Sequence, residues 1–211
     1  GLLLATLTKD EERVKLQLIG NGPLGGLTVD ASASGAVRAF VKEPHGPPVT
    51  NTSRPRLGPA IGPAGVVSVI RDLGLRQSFQ GQTTFATGEI DDDVERYLTD
   101  SEQIDSALRC ETVLAGDGTL LFSAGILVQA LPGGHGAPIV QAARERLAAG
   151  ALREAMAEGM RGQWDPGSLV EDALGDTLVA WTALDERPVR FECPCSRERA
   201  GASLALLGKD E

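Results

Sequence analysis

Apolar and polar residues alternate along Val14-Lys15-Leu16-Gln17-Leu18, the two-residue period of a half-buried strand. Ahead of it, Leu2, Leu3, Leu4 and Leu7 fit the last turns of a helix that begins before Gly1, and Lys9–Glu12 a polar turn. Leu27-Thr28-Val29-Asp30 and Val37–Val41 predict two more strands around a turn at Ser34-Gly35. Val66–Ile70 has the continuous apolar character of a buried strand, and Ser78–Thr84 the mixed character of an edge strand. The period then changes. Ile90, Val94 and Leu98 recur every four residues and predict a helix over Glu89 to Leu98. Leu108–Leu114 and Leu120–Ala130 flank Gly116-Asp117-Gly118 as the arms of a hairpin.

Between these elements, Pro44–Pro63 is rich in Pro and Gly and reads as loop, and Gly133-Gly134-His135-Gly136 as a flexible joint. Beyond the joint, Ile139, Ala143 and Leu147 form one helical stripe and Leu152, Met156 and Met160 another, with Gly150 interrupting them. Asp165-Pro166 starts a third, short helix, since Pro fits the first helical turn. This section is rich in Ala, with Trp164 and Trp181 as its aromatics, and offers little large apolar surface. A weakly held helical linker is expected. The chain thus divides into an α+β core domain of mainly antiparallel strands with packed helices (1–134), a helical linker (135–188) and a C-terminal segment (189–211).

Two motifs invite functional readings that local pattern does not support. Gly20-Asn21-Gly22-Pro23-Leu24-Gly25-Gly26 looks like a phosphate-cradling loop, but no helix follows to add its N-terminal dipole. A sheet turn needing close backbone approach is the better account. Asp91-Asp92-Asp93 has the look of a cation site, yet acidic residues in a first helical turn are explained by the macrodipole.

Composition narrows the function classes. The formal charge of −9 leaves no basic stripe for phosphates or anionic lipid, so neither a nucleic acid nor a membrane surface is expected as partner. No apolar run approaches the roughly 20 residues that span a bilayer. Gly1–Thr8 lacks the basic flank of a signal peptide, and a cytoplasmic protein is expected. The two histidines, His45 and His135, sit in Pro/Gly loops without a nucleophile-elbow motif, which disfavours Ser-His-Asp hydrolysis.

Three cysteines are too few for a secreted disulfide scaffold. Cys110, in a strand-like stretch, reads as an inert, partly buried residue. Cys193 and Cys195 differ. Two thiolates one residue apart can share a soft metal ion such as zinc, which takes about four such ligands in a structural site. They can also close a small disulfide loop. Arg197 and Arg199 nearby favour the thiolate form, raising both metal affinity and reactivity toward oxidants.

Ordered segments along nearly the whole chain resemble the redox-regulated 33-kilodalton heat-shock chaperone family. They are Leu4-Ala5-Thr6-Leu7, Val14 through Leu24, Gln80-Gly81, Tyr97-Leu98-Thr99-Asp100-Ser101-Glu102-Gln103, Ala124 through Pro132, and Phe191-Glu192-Cys193-Pro194-Cys195-Ser196-Arg197-Glu198-Arg199. The last is the most specific. The resemblance implies an α+β core, a helical linker and the start of a zinc-binding redox domain. It implies one zinc ion in the complete protein, held by a C-x-C pair, matched by Cys193 and Cys195, and a later C-x-x-C pair. It further implies that oxidation to disulfides releases zinc, unfolds the linker and lets the protein hold unfolded or partly unfolded clients without ATP, as a homodimer when active. The family has a further strand and helix ahead of the position of Gly1, and this chain's three cysteines supply only half the zinc ligands. From the residues alone, a thiol-disulfide oxidoreductase and a zinc-dependent interaction module are the competing classes; catalytic turnover separates the first, and client aggregation the second.

Overall fold

A computed structural model describes residues 1–9, 12–45, 56–74, 78–133, 136–159, 165–178, 180–193 and 195–206. Asp10 and Glu11 of the expected polar turn, residues 46–55 of the expected Pro/Gly loop, His135, Met160, Trp164, Pro194 and everything from Leu207 lie outside the described residues.

The alternating segments form a six-stranded sheet. β1 (Arg13–Gly20) pairs antiparallel with β2 (Gly26–Ser32) and with β4 (Gly65–Asp72). β2 pairs with β3 (Ala36–Val41) and β4 with β5 (Phe79–Thr84), so β5 is an edge strand as its composition predicts. At the other edge a two-residue strand near the C-terminus, β8 (Arg190–Phe191), adds parallel to β3. The structure is α+β, with helices packed on a mainly antiparallel sheet.

One face of this sheet is apolar. Val14, Leu16, Leu18, Val67 and Val69 are fully buried there, beneath α1 (Leu2–Ala5) and α3 (Ile90–Asp100). Each such side chain contributes about 1.5–3 kcal/mol on leaving water. The opposite face carries the alternate positions, among them Arg13, Lys15, Gln17, Asp30 and Arg38.

The glycine-rich stretch after β1 is a turn packed against backbone. Asn21 N–H donates to the Ala64 carbonyl at 3.0 Å and Gly22 N–H to that of Ile61 at 2.8 Å. A Cβ at Gly22 would stand 2.5 Å from the Ala60 carbonyl oxygen, so no larger residue fits. The partner in this contact is α2 (Gly58–Ile61), a helical turn where the sequence predicts only loop; Ile61 anchors it by entering the core.

The hairpin of β6 (Ser106–Leu114) and β7 (Leu120–Gln129) is a wall between two cores. Leu108, Cys110 and Leu127 face the sheet core. Ala107, Val113, Phe122, Ile126 and Val128 face a second core made by α4 (Ala137–Ala148), α5 (Ala151–Gly159) and α6 (Pro166–Leu174).

This second core corrects the expectation of a weakly held linker. Val140, Ala143, Leu147, Leu152, Ala155, Met156, Ala173 and Leu174 are all buried in it. The abundance of Ala does not thin the core, because small side chains let helices and hairpin approach closely. The inward stripe of α4 runs through Val140, not Ile139, which is exposed. Gly150, at φ +103°, separates α4 from α5, and Asp165 caps α6 by accepting from Gly167 and Ser168 N–H. Arginines tie the helices down. Arg144 donates to Glu95 of α3 and to Asp105, each at 2.7 Å, and Arg153 pairs with the buried Glu111 of β6 at 2.8 Å.

Candidate functional site

Beyond a 3₁₀ turn at Gly175–Thr177, the character of the chain changes: every described residue from Ala180 to Ser196 is exposed. This segment is held by main-chain bonds. Arg190 N–H donates to the Gly35 carbonyl at 3.0 Å and Glu192 N–H to that of Val37 at 3.1 Å, which makes β8. The Arg190 side chain adds a bond to the Ser34 carbonyl at 2.7 Å, and Arg187 reaches the Ala33 carbonyl.

Cys193 and Cys195 follow β8 directly, both free and exposed, and α7 (Arg197–Leu206) starts immediately after them. The register of the sheet decides what faces them. Lys15, Asp30 and Arg38 stand opposite one another on β1, β2 and β3, a charged row across the open face. Asp30 binds the Arg38 guanidinium twice, at 2.9 Å to Nε and 2.7 Å to Nη2, and thereby fixes its direction. Arg38 Nη1 then points to both sulfurs, 3.4 Å from Cys195 Sγ and 3.9 Å from Cys193 Sγ. The Cys193 thiol is held below its ordinary pKa by hydrogen bonds from the Cys195 side chain and backbone, and then by Arg38. A cationic donor beside a thiol favours the thiolate, the form that binds metal and reacts with oxidants.

Arg38 is the residue that sequence reasoning missed. It lies 155 positions before Cys193, and the one local signal, an acid on β2 opposite a base on β3, is meaningful only once the register is known. Arg197 and Arg199, nominated by proximity in sequence, occupy the first turn of α7. Arg199 lines a groove of about 640 Å³ with Arg13, Lys15, Arg38, Asp72 and Cys195. The groove is open on the sheet face and mixed in charge.

As a metal site the pair supplies two soft sulfur ligands, half of a tetrahedral shell. Among the described residues no group of three His, Cys, Asp or Glu side chains gathers where an ion would sit. The donor chemistry fits zinc, and two further ligands are needed to close the shell.

The remaining candidates have structural partners. Cys110 is half-buried in β6, and its N–H donates to Asp91 at 3.4 Å. Asp91 also takes Arg109 Nη1 at 2.9 Å, while Asp93 accepts from the N–H groups of Ala86, Thr87 and Gly88. Both are buried, so the first-turn acids do more than meet a helix dipole: they tie the loop before α3 and strand β6 to that helix. His45 is an exposed turn residue.

The sequence matches the family model described as Hsp33 protein over residues 1–211. It is 34% identical over 213 residues to the 33 kDa chaperonin of Shouchella clausii, covering 100% of this chain and 70% of that protein. The 33 kDa chaperonin of Geobacter sulfurreducens is 35% identical over 211 residues, with 100% and 68% covered. Among solved structures, the crystal structure of the 33 kDa chaperonin from Thermotoga maritima superposes with a TM-score of 0.80 at 26% identity, covering 99% of this chain and 69% of that one.

Proposed function

Because the chain belongs to the Hsp33 family, and so to a family of chaperones, we propose that it is the greater part of a redox-regulated, ATP-independent holdase. Its partners on this reading are unfolded or partly unfolded cytoplasmic proteins, and its active form is a homodimer. The observation that carries the reading is the placement of Cys193 and Cys195 directly after β8, under Arg38. Chemistry at the sulfurs acts on the segment that docks the tail to the sheet.

In the reduced protein Cys193 and Cys195 would be two of four zinc ligands, the others coming from a C-x-x-C pair that this chain does not contain. Zinc, when bound, would keep its ligands as thiolates and join the tail into one fold. Arg38 holds the pair against β3, and Asp30 holds Arg38. Peroxide would take two electrons from the two sulfurs, forming one S–S bond, and its two oxygens would leave as two waters with two protons taken from the thiols or, for thiolates, from solvent. The disulfide offers Arg38 no thiolate, so the contact anchoring the tail weakens. The helices α4–α6, joined to that tail through residues 175–189, then lose an anchor.

The test is light scattering of a thermally unfolding client enzyme with this chain, first in reductant and then after peroxide. Suppression of aggregation is expected, and in the complete protein only after peroxide. A folded chain that never suppresses aggregation sinks the holdase reading. In the complete protein, Cys193→Ser is expected to lower zinc stoichiometry and raise holdase activity under reductant.

A further inference from the structure

We propose that the outer edge of β3 is a docking site for an extended segment of unfolded polypeptide, held in the absence of client by the chain's own Arg190–Glu192. This rests on the chaperone reading and deepens it by naming a surface and the shape of what binds there.

The alternation of an antiparallel pair fixes which groups face outward. Lys42 N–H donates inward to the Gly26 carbonyl of β2, so residues 37, 39 and 41 direct their N–H and C=O groups to the other side. β8 pairs only with Ala36 and Val37, and among the described residues no strand continues past Ala39 and Val41. An unpaired row of backbone donors and acceptors is a template for an added strand.

The occupant already seated shows how the edge reads a chain. Arg190 and Glu192 bind through their backbone N–H groups, while Phe191 is 77% exposed and Val189 66% exposed. Apart from the Arg190 guanidinium, which bonds the Ser34 carbonyl, the side chains of the docked segment stand in solvent, so the edge reads mainly backbone and clients of unrelated sequence can compete. Gly35 allows the approach: a Cβ there would stand 2.2 Å from the Pro188 carbonyl oxygen. Phe40, 64% exposed beside Arg38 on the open face, adds an apolar contact for any strand longer than β8. Because little surface is buried, β8 is displaceable.

The probe is a short fluorescein-labelled peptide of alternating valine and serine, titrated against this chain by fluorescence anisotropy. Glu192→Pro removes one backbone donor of β8 and is expected to tighten peptide binding about tenfold, as loss of one competing hydrogen bond allows; Arg190→Pro removes a backbone donor together with the guanidinium bonds to Ser34 and is expected to tighten it at least as much. Ala39→Pro removes an outward donor without touching the bonds to β2, a position at which an edge strand tolerates proline, and is expected to return binding to the starting level or below. Independently of that variant, hydrogen exchange at the Ala39 and Val41 amides is expected to slow when peptide binds. If the proline variants of β8 suppress client aggregation equally with or without Ala39→Pro, and peptide leaves those amides unprotected, the edge proposal is overturned and the chaperone reading stands. Protection of the same amides without peptide, in a chain that elutes as a dimer, overturns it in favour of a second copy at the edge. No binding and no suppression in any variant, reduced or oxidised, overturns both readings.

Discussion

Arg38 is exposed enough to be invisible as a core residue, yet its guanidinium is aimed by Asp30 and contacts both sulfurs. In the reduced, metal-free chain this favours the Cys193 thiolate, so alkylation by iodoacetamide at neutral pH is expected to slow in Arg38→Ala. At high pH, where the thiol is ionised in both proteins, the rates are expected to converge; equal rates at neutral pH would show that Arg38 does not tune the site. Tyr97 titrates in the opposite sense. Its phenol is buried and donates to Glu102 Oε1 at 3.0 Å; burial first, and then the Glu102 charge, push its pKa up to about 12. In the unfolded chain tyrosine ionises near pH 10. Stability tied to the neutral phenol is therefore complete below about pH 10 and is lost as pH rises toward about 12. Urea midpoints measured between these limits are expected to fall in the parent and to fall less steeply in Tyr97→Phe.

Among the elements, α5 shows how an Ala-rich helix becomes structural. Leu152 and Met156 are completely buried on one face, Ala155 beside them lets α6 approach, and Arg153 reaches across to Glu111. Leu152→Ala is expected to cost about 3 kcal/mol, the usual range for a buried leucine that leaves a cavity. The damage should be local. Amides of α4, α5 and α6 are expected to exchange faster while those of β1 and β4 keep their protection, as read by hydrogen exchange with mass spectrometry. Uniform loss of protection would mean that the helices and the sheet unfold as one unit.

Across the whole molecule, stability is graded by burial. The sheet core and the helical core share the β6–β7 wall, whereas residues 180–193 rest on the sheet edge through a few backbone and arginine hydrogen bonds. Exposed main chain held in this way opens before packed elements do. Trypsin is expected to cut after Arg190 and Arg199 before any bond within β1–β7 or α3–α6. Early cleavage inside α4–α6 would instead make those helices the weakest part. The ordering suits the proposed holdase, in which the tail is displaced while the core persists.

Alternation and helical spacing act between residues near in sequence, and what they govern was legible in the chain. The strands β1–β7, the helix α3, the break at Gly150 and the Asp165 cap all follow from such local patterns. The order of segments ending in Cys193-Pro194-Cys195-Ser196-Arg197-Glu198-Arg199 was also enough to place the family. Only the tertiary structure decided that Arg38 meets the cysteines and that β8 pairs with Ala36 and Val37 at the β3 edge. It alone showed that Ala-rich helices bury a second core, that Val140 rather than Ile139 points inward, and that Asp91 and Asp93 are buried hydrogen-bond acceptors. The reason is context beyond a repeating period: the Arg38–Cys193 contact joins residues 155 positions apart, and even Asp93, whose donors lie five to seven positions away, is buried only because the loop before α3 folds back over it.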